Sequence, residues 1–162
     1  VVDTTEALLE RLQRFEVDLA IVVGPVASTF DTVEVAREPL RLYGPPGEAA
    51  PEPDSEWLLY PAGSHTRAVI DAALAARRIL PRVTLESSNP QVLRQLVALG
   101  FGWSVLPEQV AEDGQPPLRS SGDVLGERTL LGVRRPGAPP DARAEAFLAL
   151  AVAAGTAARG DA

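Results

Sequence analysis

Apolar residues follow two spacings along this chain, and together they predict strands that alternate with helices. Leu8, Leu12 and Phe15 recur at the spacing of one helix face, whereas residues 17–23 form a nearly continuous apolar run, typical of a strand buried on both faces. The predicted strands are 17–23, 39–43, 57–60, 82–86, 103–106 and 129–133, and the predicted helices are 5–15, 66–80, 89–99 and 141–154. This alternation predicts an α/β fold with a largely parallel sheet.

Local signals set the limits of one helix and divide the chain in two. Asn89-Pro90 is a helix start, and Gly100 stands where a left-handed C-terminal cap is needed. The Pro-, Gly- and Glu-rich segment 44–55 is typical of a linker between lobes. With the strand at 129–133 as the return, we predict that residues 1–40 and 130–162 form lobe I and that residues 41–129 form lobe II.

Composition excludes several classes of function. The chain of 162 residues carries a net charge of −7 and has neither lysine nor cysteine. Disulfides, thiolate nucleophiles and Cys-ligated zinc are therefore excluded, and the dispersed arginines offer no basic face for DNA phosphates. No apolar run approaches the roughly 18–20 residues that span a bilayer. The start at Val1 lacks a signal-peptide pattern and an initiator Met, so we expect a cytoplasmic piece of a longer protein.

Five short motifs stand in a recognisable order and spacing. They are DLAI at 18–21, EPLRLY at 38–43 with PPG at 45–47, WLLYPAGSHTR at 57–67, ESSNP at 86–90 and VALGFGWSVLP at 97–107. In this order the motifs resemble the effector-binding domain of LysR-type transcriptional regulators, from about residue 3 to 150. The resemblance implies two Rossmann-like lobes joined by crossing strands, as in type II periplasmic binding proteins, with lobe I lacking its first strand and helix.

The resemblance also implies a regulatory function. A small carboxylate or other anionic effector is expected in the cleft between the lobes, and it would control DNA binding by an N-terminal winged helix-turn-helix that this chain lacks. A homodimer or homotetramer is implied, with the helices at 66–80 and 5–15 as candidate interfaces. Contact with DNA is expected only through the missing domain, and no membrane partner is expected.

The candidate ligand site centres on the turn before the helix at 66–80. Gly63 lets the backbone approach a ligand, and helix N-termini favour anions. Ser64 and Thr66 add hydroxyl donors, and His65 stands where the resemblance implies an effector contact. The alternatives are a plain helix cap for Ser64 and a solvent-exposed loop residue for His65.

Other candidate contacts come from separate segments. Val23 and Gly24 end the strand at 17–23 and are predicted to form the opposite wall, with ordinary turn residues as the alternative. Ser88 is a predicted contact or only a helix cap. Arg67 either pairs with an anionic ligand or has the structural role that we favour. Trp103 is predicted to be a core residue.

Catalysis is not expected. Ser64 and His65 are adjacent in sequence and cannot face each other as a nucleophile and its base. No cluster of histidine and carboxylates predicts a metal, and no cofactor is expected. Two alternatives to a regulator share the predicted fold: a type II periplasmic-like solute-binding protein, and an enzyme. The sequence upstream of Val1 would distinguish the regulator from the solute-binding protein, because a helix-turn-helix there supports the regulator and a signal peptide supports the solute-binding protein.

Overall fold

The computed structural model describes residues 3–139 and 141–160, with side chains up to residue 156. The chain separates into two compact units. Unit 1 comprises residues 1–37 and 129–162, and unit 2 comprises residues 38–128. The chain enters and leaves unit 2 within extended strands, because residues 31–43 and 126–134 are both strands.

Helices and strands alternate along the chain, as the apolar spacing predicts for an α/β fold. The helices are α1 (Thr5–Gln13), α2 (His65–Ala76), α3 (Pro90–Ala98), α4 (Glu108–Glu112) and α5 (Ala142–Gly160). The strands are β1 (Ala20–Val23), β2 (Asp31–Tyr43), β3 (Glu56–Leu59), β4 (Arg82–Glu86), β5 (Ser104–Pro107) and β6 (Gly126–Arg134). Among the helices that the structure describes, none has the length and hydropathy of a membrane-spanning segment.

The strands pair in both directions. In unit 1, β1 runs antiparallel to β6, with Ala20 opposite Val133. In unit 2, the end of β2 runs antiparallel to β5, with Leu42 opposite Val105, whereas β3 and β4 are parallel. The prediction of a largely parallel sheet is therefore wrong for β1–β6 and for β2–β5. A short apolar run indicates a buried strand but not the direction of its neighbour.

Each unit has an apolar core of its own. The fully buried side chains of unit 2 include both tryptophans, and Trp103 is 1% exposed, which confirms it as a core residue. The buried residues of this core include Leu40, Tyr43, Trp57, Leu59, Ile70, Leu74, Leu93, Val97, Trp103, Val105 and Leu106. The smaller core of unit 1 is formed by Leu12, Ala20, Val22 and Val133.

Helices α1, α2 and α3 end in the same way. After α3, Gly100 has a φ of +86°, and its amide and that of Phe101 donate back to the last turn of the helix at 2.9 and 3.0 Å. This pair of bonds is the Schellman motif, and it confirms Gly100 as the predicted left-handed cap. The equivalent residues after α1 and α2 are Phe15, with a φ of 62°, and Arg78, with a φ of 60°. A side chain at such a position carries a steric cost that glycine avoids.

Replacing Arg78 with glycine is expected to raise the free energy of unfolding by about 0.5–1 kcal/mol, because glycine adopts a positive φ without that cost. The matched change Gly100→Ala should lower it by about 1 kcal/mol. Nothing lies within 4 Å of the methyl group added at Gly100, so only the backbone is strained. Urea unfolding curves measure both changes in the free energy of unfolding. Changes of the same sign in the two variants would contradict this explanation of the helix ends.

Two predicted helices extend too far. The predicted helix at 66–80 is wrong beyond Ala76, since the chain turns at Arg78 and Leu80 is 88% exposed. Phe15 lies outside α1 and is 76% exposed, with the Arg135 guanidinium 4.3 Å from the centroid of its ring. Apolar side chains in the residues that cap a helix continue the helical spacing without belonging to the helix.

Three predicted strands also differ in length, and one of them, the strand at 129–133, begins earlier, at Gly126. The strand at 17–23 is observed only from Ala20, because the Val17 carbonyl accepts from the Arg135 side chain instead of from a neighbouring strand. The strand at 39–43 begins earlier, at Asp31. Most of the added residues are exposed or half-buried, so the apolar run marks only the buried end of the strand.

Candidate functional site

The carboxyl ends of β3 and β4 lie side by side at one edge of unit 2. Leu59 stands opposite Glu86, and the Ser87 amide donates to the Leu59 carbonyl at 3.0 Å. The turn 61–64, which leads into α2, and the loop 87–89, which leads into α3, therefore begin next to each other. Both helices start at this edge, and the amides of a first helical turn have no acceptor within their own helix.

The turn 61–64 ends in a well-formed helix cap. The Ser64 amide donates to the Pro61 carbonyl at 3.2 Å, and the Ser64 hydroxyl accepts from the Arg67 amide at 3.2 Å. Gly63 has a φ of +86°, and nothing lies within 4 Å of the place where a Cβ would stand, so its backbone is accessible. Capping occupies the hydroxyl oxygen of Ser64 and leaves its hydrogen able to donate to another group.

A largely buried ion pair lies beside the first turn of α2. Arg128 Nε donates to Glu38 Oε2 at 2.5 Å, and the two side chains are only 10% and 17% exposed. Arg128 Nη1 also donates to the hydroxyl of Thr66, a residue that is 4% exposed, at 3.4 Å. The guanidinium carbon lies 5.9 Å from the centroid of the Tyr60 ring. Arg128 therefore connects the beginning of unit 2 with the residues around the turn.

Arg67 also forms hydrogen bonds at the carboxyl ends of β3 and β4. Its Nη1 donates to the Tyr60 carbonyl at 2.8 Å and to Glu86 Oε1 at 2.9 Å, and its Nε donates to Asp71 Oδ1 at 2.8 Å. Burial alone lowers the pKa of Arg67, but the bonds to the two carboxylates outweigh it and raise that pKa above its ordinary value. These bonds join Tyr60, which directly follows β3, to the end of β4 and to α2, which is the structural role that we favour for Arg67.

The turn therefore offers neutral donors rather than an uncompensated charge. Arg67 is bonded to two carboxylates and Arg128 to one. The Thr66 hydroxyl accepts from Arg128, so its own hydrogen, like that of Ser64, is able to donate. Hydroxyl and amide donors at a helix N-terminus suit a small group that is rich in acceptors, such as a carboxylate or phosphate.

The predicted site residues fall into two groups. Gly63, Ser64, His65 and Thr66 are brought together in one turn of unit 2, where His65 is the half-buried first residue of α2. Ser88 lies in the adjacent loop and is exposed. It is not the cap of α3, because Asn89 is that cap and accepts from the Gln91 amide at 2.9 Å.

Val23 and Gly24 belong to unit 1. The Val23 amide donates to the Thr5 hydroxyl at 3.2 Å, and that hydroxyl donates to the Val23 carbonyl at 3.3 Å. The Gly24 amide donates to the Thr129 carbonyl at 2.8 Å, and a Cβ at Gly24 would lie 2.7 Å from the Leu131 side chain. Both residues are fixed by contacts within unit 1, so the glycine is needed there for packing.

Three residues beside the turn are not predicted as site residues from the sequence. Glu38 and Arg128 are separated by 90 positions, so no local pattern joins them. Tyr60 ends the apolar stretch of the predicted strand at 57–60 and was interpreted only as part of that strand. The order of the motifs places Tyr60 directly before the turn, and this was the available signal. Within the described part of the chain, no three His, Asp or Glu side chains form a group that could hold a metal ion.

The alternating strands and helices, with a donor-rich turn at the carboxyl edge of β3 and β4, define an α/β domain of the ligand-binding class. A family model narrows this class: the model for the LysR substrate binding domain matches residues 1–156. The chain belongs to this family.

Individual relatives agree with the family match. The chain is 31% identical over 129 residues to the HTH-type transcriptional regulator GbpR of Azospirillum brasilense. The match covers 71% of this chain but only 38% of that protein. Among solved structures, the CcmR regulatory domain of Synechocystis PCC6803 in complex with 2-PG is 22% identical, with a TM-score of 0.77 over 94% of this chain and 80% of the other. The bromide-bound regulatory domain of HypT from Salmonella typhimurium is 16% identical, with a TM-score of 0.78 over 96% and 80%. These two structures show a shared fold.

Proposed function

We propose that this chain is the ligand-sensing domain of a LysR-type regulator and that it binds a small anionic effector. In the whole protein, the bound effector would control DNA binding by an N-terminal winged helix-turn-helix. The observation that carries the proposal is the turn 61–64, where an accessible Gly63 and the Ser64 and Thr66 hydroxyls stand together at the start of α2. Family membership supports the same function.

The chemistry of the turn supports an anion as the effector. The arginines nearby are paired with carboxylates, so recognition would rest on hydroxyl and amide hydrogens and on the dipole of α2. The relatives CcmR, bound to 2-PG, and HypT, bound to bromide, are consistent with this interpretation. His65 and Ser88 stay predicted contacts in unit 2, and Val23 and Gly24 stay predicted contacts in unit 1. We infer that units 1 and 2 correspond to lobes I and II.

The localisation, the oligomeric state and the lack of catalytic activity that we propose are those of the family. The domain would act in the cytoplasm, as a homodimer or homotetramer, and without catalytic activity. The alternative of a type II periplasmic-like solute-binding protein shares the fold but is not favoured, since both the family model and the curated relative are those of transcriptional regulators.

Calorimetric titration of the 162-residue chain tests the proposal with acetate, benzoate, succinate, shikimate and inorganic phosphate. We expect at least one of these anions to bind and to raise the Tm. Absence of both heat and thermal shift for every anion in the panel would contradict the proposal.

Replacing Ser64 with alanine is expected to weaken binding of that anion about five- to tenfold, which corresponds to the loss of one hydrogen bond of about 1–1.4 kcal/mol. It should also lower the free energy of unfolding by about 1 kcal/mol, because α2 loses its cap. Thr4→Ala is the matched control, since Thr4 caps α1 by accepting from the Ala7 amide. Thr4→Ala should cost similar stability and leave the affinity unchanged, and an equal loss of affinity in both variants would assign the effect to folding.

A further inference from the structure

Three strands of unit 2 begin side by side at the edge opposite the turn 61–64. Glu56 stands opposite Arg82 where the parallel strands β3 and β4 begin. The Trp103 amide, directly before β5, donates to the Glu56 carbonyl at 2.8 Å. The segments that lead into these strands therefore meet at one edge. We call their residues 52–56, 77–82 and 100–101 the amino-edge surface.

One half of the amino-edge surface is an acidic cleft. The cleft has a volume of about 760 Å³ and lies between the loop before β3 and the residues before β5. The described residues that line it include no arginine but four carboxylates, those of Glu48, Glu52, Asp54 and Glu56. The last three are exposed, and no described arginine forms an ion pair with them. The ring of Phe101 also lines the cleft and is 59% exposed.

The other half is the basic turn between α2 and β4. Its arginines, Arg77, Arg78 and Arg82, are all exposed, and no described carboxylate forms an ion pair with them. Arg77 Nη1 donates to the Ala73 carbonyl at 3.2 Å, which leaves its positive charge without a counterion. Between these arginines, the Leu80 side chain is 88% exposed. The turn thus presents an apolar side chain among three positive charges.

The two halves complement each other in charge, and they are adjacent because Glu56 stands opposite Arg82. A surface with both signs side by side attracts a copy of itself, whereas a wholly acidic partner would be repelled by the cleft and a wholly basic one by the turn. A two-fold axis between the halves would place the basic turn of each copy against the acidic cleft of the other.

We propose that the amino-edge surface is a two-fold interface between copies of this chain. Leu80 of each copy enters the cleft of the other beside Phe101, and the arginines of the turn face Glu52, Asp54 and Glu56. The inference deepens the homo-oligomer of the proposed function and rests on it in that respect. The turn 61–64 lies at the opposite edge of β3 and β4 and stays open to an effector.

Sedimentation velocity of the 162-residue chain tests whether the interface forms. We expect the share of dimer to rise as the protein concentration rises from micromolar to submillimolar. Added salt should lower that share, because it screens the exposed charges of both halves. A chain that stays monomeric over this range of concentration would overturn the proposal.

Charge reversal identifies the residues of the interface. A first variant makes both halves negative through Arg77→Glu, Arg78→Glu and Arg82→Glu, and a second makes both positive through Glu52→Arg, Asp54→Arg and Glu56→Arg. Each variant alone should dimerise about tenfold more weakly, because like charges then face each other. An equal mixture of the two should restore the dimer, since every negative group again faces a positive one. Recovery in the mixture also shows that both variants are folded.

A third variant controls for net charge. Asp113→Arg, Asp123→Arg and Glu127→Arg change the net charge as the second variant does, but at exposed positions outside the amino-edge surface. This variant should dimerise like the unmodified chain. If it loses as much affinity as the second variant, or if the mixture fails to restore the dimer, the copies assemble through another surface and the proposal is overturned.

The apolar contact has a matched pair of substitutions. Leu80→Ser should weaken dimerisation about tenfold or more, because the loss of a buried leucine acts twice in a two-fold interface. Leu150→Ser is the control, since Leu150 is 71% exposed on α5 of unit 1, and it should change nothing. Equal effects of the two would contradict the contact. Calorimetry with the anions keeps the two proposals apart: a monomer that binds an anion contradicts the interface and leaves ligand sensing standing, and a dimer that binds none does the reverse.

Discussion

Replacing Arg128 with methionine is expected to lower the free energy of unfolding of unit 2 by about 3 kcal/mol, because the change leaves Glu38 as an unpaired charge in a largely buried position. Methionine keeps most of the volume of the arginine side chain, so loss of packing contributes little. Tryptophan fluorescence is a suitable measurement, since Trp57 and Trp103 are both buried in unit 2 and no tryptophan lies in unit 1.

A double-mutant cycle separates the ion pair from other effects of the substitution. Removing both charges, with Glu38→Met and Arg128→Met together, should restore most of the lost stability, because well-packed apolar side chains often replace a buried ion pair without cost. The exposed pair Glu10–Arg14 provides the control, and Arg14→Met should change stability by less than about 1 kcal/mol. Additive losses in the double variant would show that Glu38 and Arg128 stabilise unit 2 independently.

Replacing Trp103 with alanine is expected to cost about 3–5 kcal/mol, the range for removing a large aromatic side chain from a core. Trp103 is 1% exposed, and its ring packs so closely on Gly44 that a Cβ there would lie 2.5 Å from the ring. Its Nε1 donates to Glu48 Oε2 at 3.0 Å. Urea denaturation followed by circular dichroism measures the loss.

A second substitution distinguishes the ring of Trp103 from its hydrogen bond. Glu48→Gln keeps an oxygen acceptor for the indole and should cost less than about 1.5 kcal/mol, the value of one hydrogen bond. A loss in Glu48→Gln comparable to that in Trp103→Ala would assign the stability to the indole nitrogen rather than to packing of the ring.

The elements of this fold are largely visible in the sequence because their signals are local. Asn89 and Gly100 mark the two ends of α3, and the structure confirms both through the bonds that cap the helix. The limits of α1 and α2 are missed because Phe15 and Arg78 occupy cap positions where glycine is the usual signal. Strand direction is also missed, since it depends on the neighbour of each strand and not on its own composition.

The candidate site is predictable to the extent that it is continuous in sequence. The turn from Gly63 to Thr66 is found because a strand, a turn and a helix start follow one another, and because the motif at 57–67 resembles that of a known family. The pair of Glu38 and Arg128 is missed because it depends on the folding back of β2 and β6.

The bond between Glu38 and Arg128 also bears on how such a protein can be modified. These residues are the first and the last of unit 2, so the two ends of this continuous segment meet. A host chain therefore has only a short gap to bridge when it carries this segment, and insertion of whole domains succeeds where the termini lie close together. An exchange of residues 38–128 between related proteins is therefore expected to keep the donors of the turn together, because all of them lie within this one segment.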